Sequence, residues 1–297
     1  MGATDYKYKY NKTKHFIYKP GRINLRHHKI TPKEWESWNS SMSPSRAAYF
    51  AGLFDGDGSF RAYKKGKDYL QAYIKLQDVE PLESLHEIYG TTIFGIRMSN
   101  PKHKTLYKLA LNGSAANHFM QCVCPWLNEK RNLVTKLLNK HLPNYHPYKV
   151  PFPRKNDKFI ASLTPLMCYV AGFFDAEGSA TISLGKKGLL APRVTFSNTN
   201  LRPLKKLKKF LENWPFIFKP TISTHKPRGT RKDGSPHKGE YKLLIPASQH
   251  LLFMKMFSPI MHLERKKRVT DRFELLRTVD DHLNTRKRLK RKYGSKR

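Results

Sequence analysis

The pattern of apolar and polar residues predicts a helix followed by a hairpin in the first half of the chain. The stretch AAYFAGLFDGDGSF, residues 47–60, begins as a small, apolar, helix-like run and ends in two aspartates separated by glycine. SFRAYKKG and YLQAYIKLQ then alternate apolar and polar residues around a Lys-Gly turn, which indicates two antiparallel strands. EPLESLHEIYG has Pro near its start and Gly at its end, which is typical of a helix. TTIFGIRMS and TLYKLALN predict a second hairpin across the turn NPKHK, and SAANHFMQCV and NEKRNLVTKLLNKHL predict two further helices.

The same series returns 120 residues later. MCYVAGFFDAEGSA, residues 167–180, is identical to residues 47–60 at seven of fourteen positions, and at an eighth Glu177 replaces Asp57. Such repetition indicates two copies of one structural unit. SATISLGKKGLLAPRVTFSN, LRPLKKLKKFLENW, FIFKPTIST, EYKLLIP and SQHLLFMKMF continue the second copy, followed by a long helix from about His262 to His282. We therefore predict an α+β fold of tandem αββαββα repeats.

Composition divides the chain into five segments. Residues 1–43 form a basic N-terminal extension, residues 44–141 the first repeat and residues 164–283 the second repeat. Residues 142–163 are rich in Pro, Tyr and Lys, which indicates an extended linker, and residues 284–297 form a basic tail without acids. A basic Gly/Pro loop, His225–Glu240, accounts for the greater length of the second repeat.

The charge of the chain indicates a polyanionic partner. Its 297 residues include 57 Lys+Arg and 22 Asp+Glu, a net charge of +35, together with 12% aromatic residues. Nucleic acid is the first interpretation, and an anionic membrane surface is the alternative, although no long basic amphipathic helix stands out. No apolar run is long enough for a membrane span, and no signal-peptide pattern opens the sequence. The basic N-terminal residues fit either a transit peptide or a nucleic-acid-binding arm. Cys122, Cys124 and Cys168 lack disulfide or zinc spacing, so we expect reduced thiols.

Two acidic residues raise a chemical question, because carboxylates at a helix C-terminus oppose the helix dipole. Small residues at helical spacing, among them Gly52 and Gly172, would let the two motif helices approach closely and bring Asp57 and Glu177 together. No basic residue within either motif neutralises this pair, whereas a divalent cation with oxygen ligands would. Asp55 and Asp175 can instead cap backbone amides. A calcium loop is excluded, because Phe60 stands at its sixth position and Gly66 at its twelfth.

FAGLFDGDG and VAGFFDAEG resemble the two LAGLIDADG motifs of a single-chain homing endonuclease, over roughly residues 44–283. The resemblance implies a pseudo-twofold saddle of two curved antiparallel sheets with the motif helices at the central interface. It implies that Asp57 and Glu177 share one to three Mg²⁺ ions, with the carbonyl groups of Gly56 and Ala176 as further ligands. It also implies cleavage of both strands of a long double-stranded DNA target by a Mg²⁺-dependent phosphodiester hydrolase.

The resemblance extends to other residues near the metal. A lysine five residues after a helix-ending proline corresponds to Lys130, whereas the same count in the second copy reaches Glu264, so that Arg265 or Lys266 would substitute. Gln77 and Asn198 match polar positions at strand ends near the active-site waters. A solvated helix face for the lysines and an ordinary strand-end hydrogen bond for Gln77 and Asn198 are the alternative interpretations.

Strand alternation selects the side chains for DNA contact, because alternate residues share one face of a sheet. Arg and Gln can read base edges, whereas Lys more often contacts phosphate. An ordinary solvated sheet face is the alternative. The predicted DNA-binding residues are Arg61, Tyr63, Lys65, Gln71, Tyr73, Lys75, Thr181, Ser183, Arg193 and Thr195.

Two functions remain open from the sequence. The first is a site-specific, intron-encoded DNA endonuclease, favoured by the intact pair of acids. The second is an RNA-binding intron maturase derived from the same fold, with or without residual cleavage, whose partner would be intron RNA. Two motifs in one chain predict a monomer. The resemblance implies an intracellular location, with a mitochondrion or chloroplast as the first expectation and no membrane partner.

Overall fold

The computed structural model describes residues 14–21, 30–65, 67–98, 104–142, 145, 163–184, 190–213, 218–225 and 239–275. Contacts within the chain define two units. The first unit contains residues 1–43, 57–124 and 132–147, and the second contains residues 44–56, 125–131 and 148–297. This division differs from the division into repeats, because the motif helix of the first repeat packs on the motif helix of the second.

Secondary structure follows the predicted order in both repeats. The N-terminal extension contributes β1 (Lys14–Lys19) and α1 (Pro32–Ser41). The first repeat contains α2 (Pro44–Gly56), β2 (Gly58–Lys65), β3 (Lys67–Leu76), α3 (Glu80–Tyr89), β4 (Ile93–Arg97), β5 (Leu106–Asn112), α4 (Gly113–Val123) and α5 (Arg131–His141). The second repeat contains α6 (Leu163–Glu177), β6 (Gly178–Leu184), β7 (Leu190–Asn198), α7 (Leu201–Glu212), β8 (Thr221–His225), β9 (Glu240–Leu244), a 3-10 turn at Ala247–Gln249, α8 (His250–Phe257) and α9 at residues 264–275. The fold is α+β with two antiparallel sheets, as predicted.

The sheet of the first unit has five antiparallel strands in the order β1-β4-β5-β3-β2. Its inner face is apolar, as the alternation predicts, with Phe60, Leu70, Ala72 and Ile74 all buried. Phe60 stacks against Phe119 of α4, with ring centroids 6.4 Å apart. Burial of this face against helices leaves the opposite face of the sheet for other contacts.

The N-terminal extension is partly folded, which the prediction of a basic arm did not anticipate. β1 pairs with β4 in antiparallel register, from Lys14 opposite Arg97. α1 begins with a capping box, in which Thr31 accepts from the Glu34 backbone and Glu34 accepts from the Thr31 backbone. Trp38 of α1 is buried, since its ring packs 5.0 Å from the ring of Tyr89. The described part of the extension is therefore an element of the first unit.

The sheet of the second unit has four antiparallel strands in the order β6-β7-β9-β8. Phe196 of β7 lies at the centre of its core, 5.0 Å from the ring of Phe174 on α6 and 5.8 Å from Phe253 on α8. The sheet and α6 therefore bury a common apolar cluster, and the end of α6 is fixed against the sheet.

Several boundaries differ from the sequence prediction. α5 begins at Arg131 rather than at Asn128, because the preceding residues form a bend whose amides bind a buried carboxylate. β8 begins at Thr221, after Pro220, since proline cannot donate to a strand ladder. The turn NPKHK, the linker, the loop after His225 and the basic tail lie largely or wholly outside the described residues. Within the described ranges, we find no helix with the length and apolarity needed to cross a membrane. All three cysteines are free thiols, as predicted.

Candidate metal and nucleic-acid site

α2 and α6 pack with their backbones in close contact, as the small residues predicted. A Cβ atom added at Gly52 would overlap the carbonyl oxygen of Tyr169, and one added at Gly172 would overlap that of Tyr49. Gly56, the last residue of α2, packs on Ala176, and a Cβ there would lie 3.0 Å from Cγ of Glu177. Glycine is required at these positions because no side chain fits between the helices. The C-terminal ends of the two motif helices therefore meet.

Asp55 and Asp175 are buried acceptors, which confirms the capping interpretation. Asp55 accepts from the backbone N–H groups of residues 128, 129 and 130, at 2.6–3.3 Å, and Asp175 accepts from those of residues 262 and 263. Each also accepts from a tyrosine of the other motif helix: Tyr169 donates to Asp55 at 2.9 Å, and Tyr49 to Asp175 at 2.7 Å. Neither tyrosine was among the predicted site residues, although Tyr49 and Tyr169 occupy the same position in the two copies of the motif.

Burial raises the pKa of the Asp55 carboxyl, and the bonds from backbone amides and Tyr169 oppose that rise. Burial likewise raises the pKa of Asp175, against the opposing effects of the nearby Lys266 ammonium and the donors that face the carboxylate. The two aspartates thus hold the ends of the motif helices to neighbouring loops. A structural role explains them without any ligand.

Two lysines reach the C-terminal carbonyls of the motif helices. Lys130 Nζ donates to the carbonyl oxygen of Phe54 at 2.6 Å and to that of Gly56 at 3.2 Å. Lys266 Nζ donates to the carbonyl oxygens of Phe174 and Asp175, the latter at 2.8 Å, and is 3% exposed. Both ammonium groups neutralise the negative ends of helix dipoles. Neither motif contains a positive charge that could balance its helix dipole, and these lysines from later in the chain supply it. The helix dipoles alone therefore do not require a metal ion.

Lys266, rather than Glu264 or Arg265, corresponds to Lys130. Both lysines donate to carbonyl oxygens in the last turn of their motif helices, whereas Glu264 is exposed and pairs with Lys267 at 2.8 Å. Arg265 is also exposed. Lys130 lies five residues after Pro125, whereas Lys266 lies seven residues after Pro259. A count of five from Pro259 therefore stops two residues short of the corresponding lysine. A solvated helix face is wrong for Lys266, which is buried.

The two motif acids differ in exposure. Asp57 is exposed in the turn directly after α2, and Glu177 is the half-buried last residue of α6. Asn198, at the end of β7, donates its Nδ2 to Glu177 Oε1 at 2.9 Å, and its role near active-site waters stays a prediction. Gln77 is exposed at the end of β3, and its link to an active site stays a prediction.

These donors fit a hard divalent cation, because carboxylate and carbonyl oxygens are the ligands such ions prefer. The carbonyl of Gly56 accepts from Lys130, and Ala176 is half-buried beside it. Among the residues that the structure describes, no three His, Cys, Asp or Glu side chains converge as a metal centre. Within the second unit, the oxygen donors at the ends of the motif helices are therefore the Glu177 carboxylate and the carbonyls of Gly56 and Ala176.

Cationic and aromatic side chains alternate on the outer face of the first-unit sheet. The Arg61 guanidinium lies 5.2 Å from the ring centroid of Tyr63 and 4.9 Å from that of Tyr73, and Lys108 Nζ lies 5.8 Å from Tyr73. A hydrogen bond with Ser59 and these nearby cations lower the pKa of Tyr73. Burial, with the charges of Lys75 and Arg61, lowers the pKa of Lys108. We call Arg61, Tyr73, Lys75 and Lys108 the cationic face.

Lys108 belongs to this surface but was not among the predicted DNA-binding residues. The alternation of TLYKLALN places it on the outer face, and the register sets it opposite Lys75. Gln71 and Thr195 were predicted to contact DNA from the sheet surface, but both side chains are buried, at 8% and 7% exposure. Gln71 accepts from Arg61 Nε at 2.7 Å and donates to Asn112 at 2.6 Å, so its amide holds Arg61 in place.

The other predicted contact residues remain compatible with a solvent-facing surface. Lys75, Thr181 and Arg193 are exposed and Tyr63 is half-buried. Thr181 and Arg193 face each other across β6 and β7. The side chains of Lys65 and Ser183 lie outside the described part of the structure.

Comparisons with known proteins give structural matches alone: no family model matches the chain, and no curated protein matches it. The chain is similar to a crystal structure of the meganuclease I-SmaMI bound to uncleaveable DNA, at 14% identity and a TM-score of 0.48, over 80% of this chain and 92% of that one. It is similar to the LAGLIDADG homing endonuclease I-GzeII in complex with its DNA target, at 13% identity and a TM-score of 0.44, over 80% and 91%. It is also similar to the LAGLIDADG meganuclease I-AabMI bound to uncleaved DNA, at 15% identity and a TM-score of 0.44, over 81% and 92%. I-GzeII and I-AabMI carry in their names the family that the two motifs of this chain resemble.

Proposed function

We propose that this chain is a site-specific DNA endonuclease of the LAGLIDADG type, which hydrolyses phosphodiester bonds in both strands of its target with a divalent metal ion. The observation that carries the proposal is the meeting of the motif helix ends, where Gly56 packs against Ala176 and Glu177. Each copy of the motif places an acid at the same position there, Asp57 in the chain after Gly56 and Glu177 on α6. If the motif helices served only to pack against each other, neither would need an acid at its C-terminal end.

Asp57 and Glu177 are the proposed carboxylate ligands, with the carbonyls of Gly56 and Ala176 beside them. A bound Mg²⁺ or Mn²⁺ ion would lower the pKa of a coordinated water and stabilise the departing oxygen of the phosphodiester. Lys130 and Lys266 hold the helix ends that carry these ligands, and Asn198 orients the Glu177 carboxylate. Because their ammonium groups already bind main-chain carbonyls, we assign the lysines a positioning role.

The cationic face is the proposed DNA surface. Phosphate contacts supply most of the affinity of a basic protein for DNA, and stacked or bidentate arginine supplies base recognition. Arg61 is held between two tyrosines and Gln71, so its orientation is fixed before binding. Arg193 and Thr181 offer a smaller set of contacts on the second-unit sheet. A net charge of +35 favours this partner over neutral or acidic ones.

The experiment begins with selection of bound duplexes from a random DNA pool in Ca²⁺, followed by incubation of the selected sequence with Mg²⁺ or Mn²⁺. We expect double-strand cleavage by the wild-type chain. Asp57→Asn and Glu177→Gln should bind the duplex with unchanged affinity and lose cleavage. Glu212→Gln, which changes an exposed α7 acid paired with Lys208, is the control and should cut normally. Double-strand cutting by either active-site variant would overturn the assignment.

RNA binding is the alternative outcome of the same experiment. We propose an intron-encoded enzyme that acts as a monomer inside an organelle, because both motifs lie in one chain and the resemblance implies that setting. Tight binding to a structured intron RNA, without selection of any duplex, would favour the maturase instead. Sedimentation of the chain with its selected duplex tests the monomer.

A further inference from the structure

We propose that Glu129 is a positioning residue for the Glu177 carboxylate, acting through Asn200 and Asn198. This inference rests on the proposed metal-dependent function and adds to it a residue outside both motifs. Glu129 lies in the bend before α5, one residue before Lys130. Three hydrogen bonds form the link to Glu177: the Asn200 side chain donates to Glu129, the Asn200 backbone N–H donates to Asn198, and the Asn198 side chain donates to Glu177, all within the second unit.

The amide of Asn198 can point in one direction only. Its Oδ1 accepts from the backbone N–H of Asn200 at 2.7 Å, which leaves Nδ2 to donate to Glu177 Oε1 at 2.9 Å. A carboxylate that would otherwise rotate about its last bond is therefore held by a fixed donor. The position of that donor depends on the conformation of Asn200.

Asn200 is fixed in turn from two sides. Its Oδ1 accepts from the N–H of Arg202 at 3.0 Å, as the N-cap of α7, and its Nδ2 donates to Glu129 Oε2 at 3.2 Å. The loop between β7 and α7 is thus tied to a residue of the first repeat. Lys206 holds α7 to the same bend through the carbonyl of Asn128, and the Asn200–Glu129 bond extends that contact to the loop itself.

Glu129 is well placed for this role, because its own side chain is restrained. It is 13% exposed, and its Oε1 lies 3.5 Å from Lys206 Nζ, which also donates to the carbonyl of Asn128 at 3.1 Å. The backbone N–H of Glu129 donates to Asp55 at 3.3 Å. Glu129 therefore connects the end of the first motif helix with the carboxylate at the end of the second. The corresponding residue before Lys266 is Arg265, which cannot accept a hydrogen bond, so this arrangement belongs to one repeat.

Residues that orient a metal ligand change metal affinity when they are removed, typically by about 10–100-fold. Glu129→Ala removes the acceptor, and Asn200→Ser keeps the α7 cap but removes the donor to Glu129. Both should weaken Mn²⁺ binding to the full chain by about tenfold, as followed by the electron paramagnetic resonance signal of free Mn²⁺. Glu129→Gln keeps an acceptor and should lose less, and Glu212→Gln should match the wild type. Wild-type Mn²⁺ affinity in both Glu129→Ala and Asn200→Ser, with folding verified by circular dichroism, would overturn the proposal.

A second readout separates this inference from the proposed function. The side-chain amide resonances of Asn198 should move in NMR spectra of Glu129→Ala and Asn200→Ser without any metal present, and stay in place in Glu212→Gln. If the wild-type chain binds no Mn²⁺ and cuts no DNA, the proposed function fails while this shift still tests the hydrogen-bond link. Unmoved Asn198 resonances in both variants would overturn the link itself.

Discussion

At the scale of single residues, Tyr49 and Tyr169 decide how the two motifs hold each other. Tyr169 donates at 2.9 Å to Asp55, a carboxylate buried among backbone donors. Tyr169→Phe removes one donor from a buried charged group, so we expect a loss of about 1–3 kcal/mol in the free energy of unfolding. Urea denaturation measures it. Tyr18→Phe is the control, because its exposed hydroxyl bonds weakly to Glu83 and its loss should change stability little. Equal effects of the two substitutions would contradict this role.

His118 makes the stability of the first unit depend on pH. Its ring is buried between Tyr89, whose hydroxyl lies 2.9 Å from Nδ1, and Asn39, whose Oδ1 lies 3.0 Å from Nε2. Burial lowers the pKa of His118 to about 4, below the 6.5 expected for an unfolded chain. Because the folded pKa is the lower one, the stabilisation is present above pH 6.5 and is lost as the pH falls towards 4.

The test compares wild type with His118→Gln by urea unfolding at about pH 7.5 and about pH 5. Wild type should lose on the order of 1 kcal/mol more than the variant over that range, after allowance for solvent screening. Glutamine retains a donor and an acceptor but does not titrate. A pH dependence that is identical in both proteins would contradict the assignment to His118.

Asp55 and Asp175 show how much of the site could be predicted from single residues of the sequence. Capping by Asp55 and Asp175 could be predicted, because short acids beside a helix end commonly accept backbone amides. The backbone N–H groups that donate to these two aspartates lie 73 to 88 residues away in the chain, and no local sequence pattern identifies them. Lys266 was ambiguous for the same reason, since its partners are carbonyl oxygens of a distant helix. Glu129 gave no signal, because its role depends on two asparagines of the other repeat.

At the scale of elements, the approach of α2 to α6 depends on glycine. Alanine usually stabilises a helix by about 1 kcal/mol relative to glycine. Gly52→Ala and Gly172→Ala should do the opposite and destabilise the chain by more than about 3 kcal/mol, because the new Cβ would overlap a backbone carbonyl that cannot move aside. Thermal unfolding and soluble yield measure the effect. Ala176→Gly is the matched control, since it opens the same interface and should lose only about 1 kcal/mol. A stable Gly52→Ala variant would show that the helices can separate.

α1 depends on its capping box. Thr31 Oγ1 accepts from the Glu34 backbone at 3.2 Å, and Glu34 accepts from the Thr31 backbone at 2.9 Å. Thr31→Ala should destabilise the first unit by about 1 kcal/mol, whereas Thr31→Ser keeps the acceptor and should be close to neutral. Guanidinium unfolding is followed by tryptophan fluorescence in a chain with Trp126 and Trp214 replaced by Phe, so that the signal comes from Trp35 and Trp38 of α1, and the Trp38 ring is buried on Tyr89. Equal stabilities of the two variants would exclude the cap as the determinant.

The helices and strands of the repeats were largely predictable, because each has a strong period and its own stop signals. Gly90 ends α3 in a left-handed conformation, φ 62, as its place at the end of EPLESLHEIYG indicated. The N-terminal extension was missed although TPKE, residues 31–34, carries a capping box with Pro at the first helical position. The charge of the extension suggested an extended nucleic-acid-binding arm. Strand β1 is too short and too polar for its sequence to be distinguished from such an arm.

At the scale of the whole molecule, the positive charge has a consequence for both stability and binding. Lys108, Lys75 and Arg61 lie on one sheet face, and burial together with the other two charges lowers the pKa of Lys108. Like charges held together destabilise the free protein, and a polyanion on that face would relieve the repulsion. The cationic face should therefore lower the stability of the free protein and raise its affinity for DNA.

Lys108→Met separates these two effects, since methionine keeps the apolar stem and removes the charge. The variant should unfold at the same or a higher urea concentration than wild type, yet bind the selected duplex more weakly. Affinity measured by fluorescence anisotropy between about 50 and 200 mM salt should fall less steeply, with the slope of log K against log salt reduced by about 1. Lys208→Met, which removes a partly exposed α7 charge paired with Glu212, should leave that slope unchanged. A wild-type slope in Lys108→Met would place the DNA elsewhere on the molecule, because a lysine that neutralises a phosphate must release a counterion when it binds.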